Sequence, residues 1–313
     1  MRRKVIQLSG NTSVVSLPSN WVKQNKIKKG NELEVEESGN ELLIKSSFEK
    51  GGKKVILDVS EFNEMSLRYA ISAMHKTGYD EFTFLNPGKM HLDVIHDMTK
   101  NLLLSFIVAE HTNNRIVLRS VAIDSGADFD SALRRAFLVT LSLADSSLGM
   151  VRSGELSNLM SLIYLEKSNN QLTSFCLRLI NKGYYKNPLG EQFISNIIWL
   201  LEKIGDDYKH MCVLLSKNNI KISKDIIDFY SLVNYFFKSY YELFYKFEIQ
   251  KLNDIAEKRF DIIRKIQNIK TNNAVETNLI SHLNSIFSKT ADLSSSLFGL
   301  RHSNLKECKQ DFQ

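Results

Sequence analysis

Residues 194–215 read ISNIIWLLEKIGDDYKHMCVLL. Within them Ile194, Ile197, Leu201, Ile204, Tyr208, Met211 and Leu215 recur every three or four positions, the spacing that puts side chains on one face of an α-helix. Two features burden that helix at a single turn. Glu202 and Asp206 stand four apart, so like charges share a face at a cost of roughly a few tenths of a kcal/mol. Gly205 lies in the helix interior, where it costs about 1 kcal/mol relative to alanine. The surroundings of this turn must explain both.

The same periodicity runs outward through residues 126–313 and predicts six helices, at about 128–152, 157–182, 190–217, 223–248, 252–270 and 274–302. They are separated by SG at 153–154, KGYYKNP at 182–188, KNNIKIS at 217–223 and KTNN at 270–273. The three prolines, Pro18, Pro87 and Pro188, all fall where an element begins or ends, which leaves long helices uninterrupted. Helix and short loop in alternation predict antiparallel neighbours, grouped as two consecutive three-helix bundles over 126–220 and 221–313.

Ahead of the helices, residues 48–125 read as a small α/β unit. VILDVS, FTFL and RIVLRSVAI are its strands; 64–77 and 89–108 are its helices, the first closed by Gly78. Residues 1–47 read strand, strand, helix, strand, strand. KVIQL and SVVSL flank the turn SGNT. LPSNWVKQNKI opens a short helix with Ser16 or Ser19 as cap and Pro18 near its first turn. Two further strands surround a Ser-Gly-Asn turn in KKGNELEVEESGNELLIKS. So short a segment buries little core alone, so a dimer sharing one β-core is expected, with Val14, Val15, Leu17, Trp21, Val22, Leu33 and Val35 as its apolar members. The predicted class is mainly α with a β head.

The chain of 313 residues carries a net charge of +6, unevenly spread. Residues 1–31 hold seven basic side chains, Arg2, Arg3, Lys4, Lys23, Lys26, Lys28 and Lys29, and no acid. A basic end fits a polyanion, DNA first, although a solvated basic face reads the same way. Cys176, Cys212 and Cys308 are far apart, which excludes zinc-finger and thioredoxin spacings, and the first two fall on apolar helix faces. No signal-peptide core and no spanning apolar run are present, so a cytoplasmic protein without membrane insertion is expected. No Gly-rich phosphate loop or local Ser/His/Asp signature points to catalysis.

Acidic positions recur along the helices. Glu166 and Asn170 stand on the predicted second helix, Glu202 and Asp206 on the third, Glu257 and Asp261 on the fifth, and Asp292 on the sixth, a weak repeat of about 90 residues. Facing carboxylates repel unless a cation lies between them, and oxygen-only ligands suit divalent ions or Fe³⁺. The plainer reading pairs these acids with Lys203, Lys167, Lys258 and Lys289. Asp207-x-x-His210 has the spacing of a di-iron half-motif, but the matching motifs such a site needs are missing, and His210 reads as a surface histidine.

These residues resemble known families. RRKVIQLSGNTSVVSLPSNWV and IKKGNELEVEESGNELLIKS, within 1–47, look like a SpoVT/AbrB-type DNA-binding domain, the swapped-hairpin β fold. Residues 126–302 are similar to the PhoU family of paired three-helix bundles, with LEKIGDD at the place of its acidic hallmark. The order of head, α/β segment and helical tail is similar to archaeal PhoU-like phosphate-uptake regulators. The resemblance implies a homodimeric, non-enzymatic transcription regulator. It implies DNA contacts at Arg2, Arg3, Lys4, Gln7, Ser9 and Asn11, and divalent or ferric ions on Glu166, Asn170, Glu202 and Asp206 and on Glu257, Asp261 and Asp292. Asn170 and Ser288 stand where acids are usual in that family. Two other readings remain open: an adaptor that restrains a phosphate transporter ATPase or a sensor kinase, and a carboxylate-metal enzyme.

Overall fold

A computed structural model of the chain describes residues 2–8, 10–38, 41–46, 52–121, 124–218 and 220–301. The chain divides into two compact units, 1–53 and 54–313. The first contains β1 (Val5–Gln7), β2 (Ser13–Val15), α1 (Ser19–Gln24), β3 (Leu33–Ser38) and β4 (Glu41–Ser46). β1 pairs antiparallel with β2, and β3 with β4, as two separate hairpins. Helix α1 starts from Pro18 at its N-cap, and neither Ser16 nor Ser19 caps it. The Ser-Gly-Asn turn expected around 38–40 lies mostly outside the described residues.

The second unit opens with the α/β layer, made of β5 (Lys54–Asp58), α2 (Glu64–Lys76), β6 (Glu81–Leu85), α3 (Lys89–Asn101), β7 (Phe106–Thr112) and β8 (Arg115–Ser120). The sheet order is β5-β6-β8-β7, parallel between β5 and β6 and antiparallel elsewhere. Alternation puts Phe82, Phe84, Ile116 and Leu118 on the covered face, where they meet Leu67 and Ile71 of α2 and Val94 and Ile95 of α3. Asn63 and Ser66 cap α2 reciprocally, and Gly78, at φ +88°, turns the chain out of it. The helix expected over 89–108 stops at Asn101, and residues 106–112 form a strand instead. Phe106 and Val108 of that strand complete the sheet's apolar face, a tertiary demand that helical periodicity does not register.

Helices α4 (Gly126–Ser153), α5 (Ile163–Asn181), α6 (Glu191–Ser216), α7 (Lys224–Tyr245), α8 (Ile249–Asn268) and α9 (Ala274–Arg301) form the tail. Residues 156–162, expected as the start of the second helix, wind as a 3₁₀ helix. Leu156, Leu159 and Leu162 are all buried, and a three-residue repeat needs three residues per turn to stay on one face. One buried apolar cluster runs from Phe129 to Leu297 through all six helices. α6 lies along both α5 and α9, α4 packs on α7, and the loop near residue 220 is crossed by this continuous core. Only Ile255 and Ile262 of α8 are buried, so α8 is the peripheral member. Cys176 and Cys212 are buried; burial pushes the Cys212 thiol up to about 12 and raises Cys176 as well.

Gly205 has its explanation in α5. A Cβ there would stand 2.6 Å from Asn169 Nδ2, which donates to the Leu201 carbonyl at 3.1 Å and to Thr140 Oγ1 at 2.7 Å. The glycine gives the amide a path to the backbone of α6. Gly205→Ala should therefore destabilise the protein by about 1–3 kcal/mol despite its better helix propensity. Urea denaturation checks this, and an Asn169→Ala background should shrink the penalty.

The α/β layer meets the tail at α5, where His75 of α2 shares a 2.8 Å hydrogen bond with Ser174 Oγ and lies edge-on to Phe106. Burial, reinforced by the charges of Arg178 and Lys76, lowers the His75 pKa to about 3. Between that value and the ordinary histidine value of about 6.5, the unfolded chain binds a proton that the folded chain does not, so stability falls as pH falls through this window. The denaturation midpoint should drop between pH 6 and pH 4, and less steeply in His75→Leu.

Candidate functional site

In the head, Arg2, Arg3, Lys4, Gln7 and Asn11 are all exposed. β1 carries Gln7 opposite Ser13, and Gly10 at φ +82° turns the chain toward β2. Ser9 lies outside the described residues. Gln7 and Asn11 flank the hairpin tip, Arg2, Arg3 and Lys4 lead into β1 at its other end, and no acid occurs in the first 31 residues, which is chemistry suited to phosphates and base edges. Among the head residues whose exposure is described, none is buried: Val5, Val35 and Leu42 are more than half exposed, and Leu17, Trp21, Val22 and Leu33 are only partly covered.

In the tail, Glu166, Asn170, Glu202 and Asp206 do come together across α5 and α6, and lysines lie between them. Lys209 Nζ stands 2.5 Å from Glu166 and 2.9 Å from Asp206; Lys203 stands 3.0 Å from Asp206 and 3.2 Å from Glu202; Lys76 of α2 reaches Glu202 at 3.5 Å. Asn170 donates to Glu166 at 2.8 Å, so the residue standing where an acid is usual supplies a donor. Burial works against the Asp206 carboxylate, but bonds from Lys209 and Lys203 outweigh it and hold the group below its ordinary range. Burial also opposes the charge on Lys209 and Lys203, and their carboxylate partners outweigh it and raise both. The like-charge penalty between Glu202 and Asp206 is thus offset by ammonium groups packed against them.

The acids of the last three helices are differently placed. Glu257, Asp261 and Asp292 are exposed, and Asp261 pairs with Arg264 at 2.8 Å. Of the lysines expected to pair with acids, Lys203 does so, Lys258 lies over the Tyr235 ring, and Lys289 pairs with Asp207.

Two clusters go beyond the sequence reading, which held nothing of the first and only the Asp207-x-x-His210 spacing and Lys289 of the second. Arg178, with no exposed side chain, binds Asp80, the Tyr79 carbonyl and, at 3.1 Å, Asp124; Lys182 joins both aspartates at 2.7 Å. Separately, Asp207 of α6 faces His282 and Lys289 of α9, at 3.3 Å and 2.5 Å, with His210 beside His282. Burial raises Asp207, but the bonds from His282 and Lys289 prevail and hold it below the usual carboxylate range. Their signal in the sequence is slight: Asp207-x-x-His210 is local, whereas His282 becomes a neighbour only through the pairing of α6 with α9.

Comparison with known proteins bears on the head. Residues 6–51 match the family model described as antidote-toxin recognition MazE, bacterial antitoxin. The N-terminal segment is therefore MazE/AbrB-like, in keeping with its SpoVT/AbrB resemblance, and the match ends before the second compact unit begins at Lys54. Comparison with curated proteins and with solved structures returns no match.

Removing Lys209 would leave the Glu166 carboxylate, only 4% exposed, with Asn170 as its remaining partner here. Lys209→Met should cost about 3 kcal/mol, the usual scale for stranding a buried charge. Glu166→Gln combined with Lys209→Met should cost less than Lys209→Met alone, which chemical denaturation of both variants reads directly.

Proposed function

We propose that the protein is a DNA-binding regulator that acts as a homodimer through its MazE/AbrB-like head and uses the helical tail as a sensor or partner-binding module. The observation that carries this reading is the head itself. Seven basic residues and no acid in its first 31 positions coincide with a match to a domain type that typically dimerises and binds DNA. None of its apolar residues whose exposure is described is buried, which supports a core shared between two copies. No helix among the described residues is long and apolar enough to cross a membrane.

The process regulated is, in this reading, phosphate uptake. Its support is the resemblance of 126–302 to PhoU tails, with the helices forming a bundle whose acidic hallmark LEKIGDD lies at an interhelical seam. Carboxylates at that seam are candidates for a metal that would displace Lys203 and Lys209. A second reading follows from the family description: the head acts as an antitoxin-like module that engages a protein partner, and DNA contact is secondary. A transporter ATPase or sensor kinase would be the tail's partner if the head served only to dimerise.

Fluorescence anisotropy of the full chain with DNA from its own upstream region tests the proposal. Tight binding should weaken steeply with salt, and replacing Arg2, Arg3 and Lys4 with alanine should lower affinity at least tenfold and flatten the salt dependence. Binding that is absent at physiological salt, or unchanged by the triple substitution, would remove DNA from the reading.

A further inference from the structure

Asp206 and Asp207 are adjacent in sequence but face different helices. Asp206 turns toward α5 through Lys209, whereas Asp207 turns toward α9, where His282 and Lys289 meet it. His210, three residues beyond Asp207, lies on the same side of α6, with its ring centroid 5.7 Å from that of His282. One ligand atom from each of Asp207, His210 and His282 lies within 4.8 Å of the other two, and this is the set of three such residues so gathered among the described residues.

We propose that Asp207, His210 and His282 form a binding site for a divalent transition-metal ion that clamps α6 to α9. Ligand bonds of about 2.0–2.1 Å in tetrahedral arrangement put ligand atoms about 3.3 Å apart. Asp207 Oδ1 and His282 Nδ1 already stand 3.3 Å apart. His210 is exposed, so its ring has room to turn inward and close the remaining distance. Two imidazoles and one carboxylate favour Zn²⁺, Co²⁺, Ni²⁺ or Fe²⁺ over Mg²⁺ and Ca²⁺, which prefer all-oxygen surroundings. Lys289 engages the other carboxylate oxygen, Oδ2, at 2.5 Å and is itself held by Ser285 at 2.8 Å. It leaves Oδ1 to the ion and fixes the carboxylate's orientation, as outer-sphere partners of metal ligands do. The exposed side of the site leaves coordination positions for water or a small ligand.

This site differs in residues and in helix pair from the Glu166, Glu202 and Asp206 set, and a titration can tell them apart. Full-length protein is titrated with Zn²⁺ by calorimetry and with Co²⁺ by visible absorption, the latter reporting nitrogen ligation and low coordination number. The expected result is a saturable nitrogen-ligated site, weakened at least tenfold by His210→Ala and by His282→Ala, and still present when Glu202→Gln and Asp206→Asn are combined, whatever further ion the carboxylate seam takes. Zn²⁺ should also raise the melting temperature of the wild type and not of His282→Ala. Absence of saturable binding, or binding equal to wild type in both histidine variants, overturns the site. Loss of binding in the Glu202/Asp206 variant with retention in His282→Ala would assign the metal to the other carboxylates instead.

Discussion

A guanidinium sealed from solvent joins the α/β layer to the helical tail. Arg178 projects from α5 to the chain between α2 and β6, takes Asp80 and Asp124 as counterions, and lies over the Phe106 ring with 5.2 Å between its Cζ and the ring centroid. Taking an ion out of water costs several kcal/mol, recovered only when geometry and further hydrogen bonds are both good. Here Lys182 completes a group of two cations and two anions, so the buried charges sum to zero. The α/β layer has its own apolar cluster, and the tail has another. Arg178, together with His75 against Ser174, gives their junction polar contacts with one defined geometry, which apolar packing alone would leave loose.

Helix α6 plays the corresponding part inside the tail. Toward α5 it admits the Asn169 amide at Gly205 and extends Lys209 to Glu166. Toward α7 the Tyr208 hydroxyl donates to Asn234, which donates in turn to the Ala144 carbonyl of α4. Toward α9 it presents Asp207 to His282 and Lys289. Residues 201–209, fewer than three turns of one helix, thus carry a polar contact to each of these neighbours, set in a surface that is largely apolar. The turn that looked burdened in isolation is the one where these contacts concentrate, and the partners that relieve it all come from other helices or from lysines on its own flank.

The six tail helices are legible because each keeps its apolar residues on one face for many turns, and their ends coincide with Gly154, Gly183 and Pro188. The strand at 106–112 is hidden because FIVAEHT follows a helical segment and owes its conformation to the sheet edge it joins. The leucines at 156, 159 and 162 satisfy α and 3₁₀ spacing equally well over so short a run, and only the burial of all three separates the two. At the acidic seam, the carboxylates could be picked out by spacing, but their neighbours could not. Whether a metal ion or an ammonium faces a carboxylate depends on where lysines land across a helix interface, and Lys76 reaches Glu202 from a different layer altogether. His282 is invisible for the same reason, since nothing local links it to Asp207.

The head residues whose exposure is described are all exposed or only partly covered, which bears on how the protein responds to its own abundance. Two short hairpins and one helix of six residues cannot offset the entropy of ordering their chain without apolar cover. If a second copy supplies that cover, the head's order becomes a mass-action quantity: it builds up with the square of chain concentration and fades on dilution, while the tail, with its large interior, stays folded throughout. Occupancy of any surface displayed by the head would then rise more steeply than a single-site isotherm, giving a threshold in protein level without any ligand.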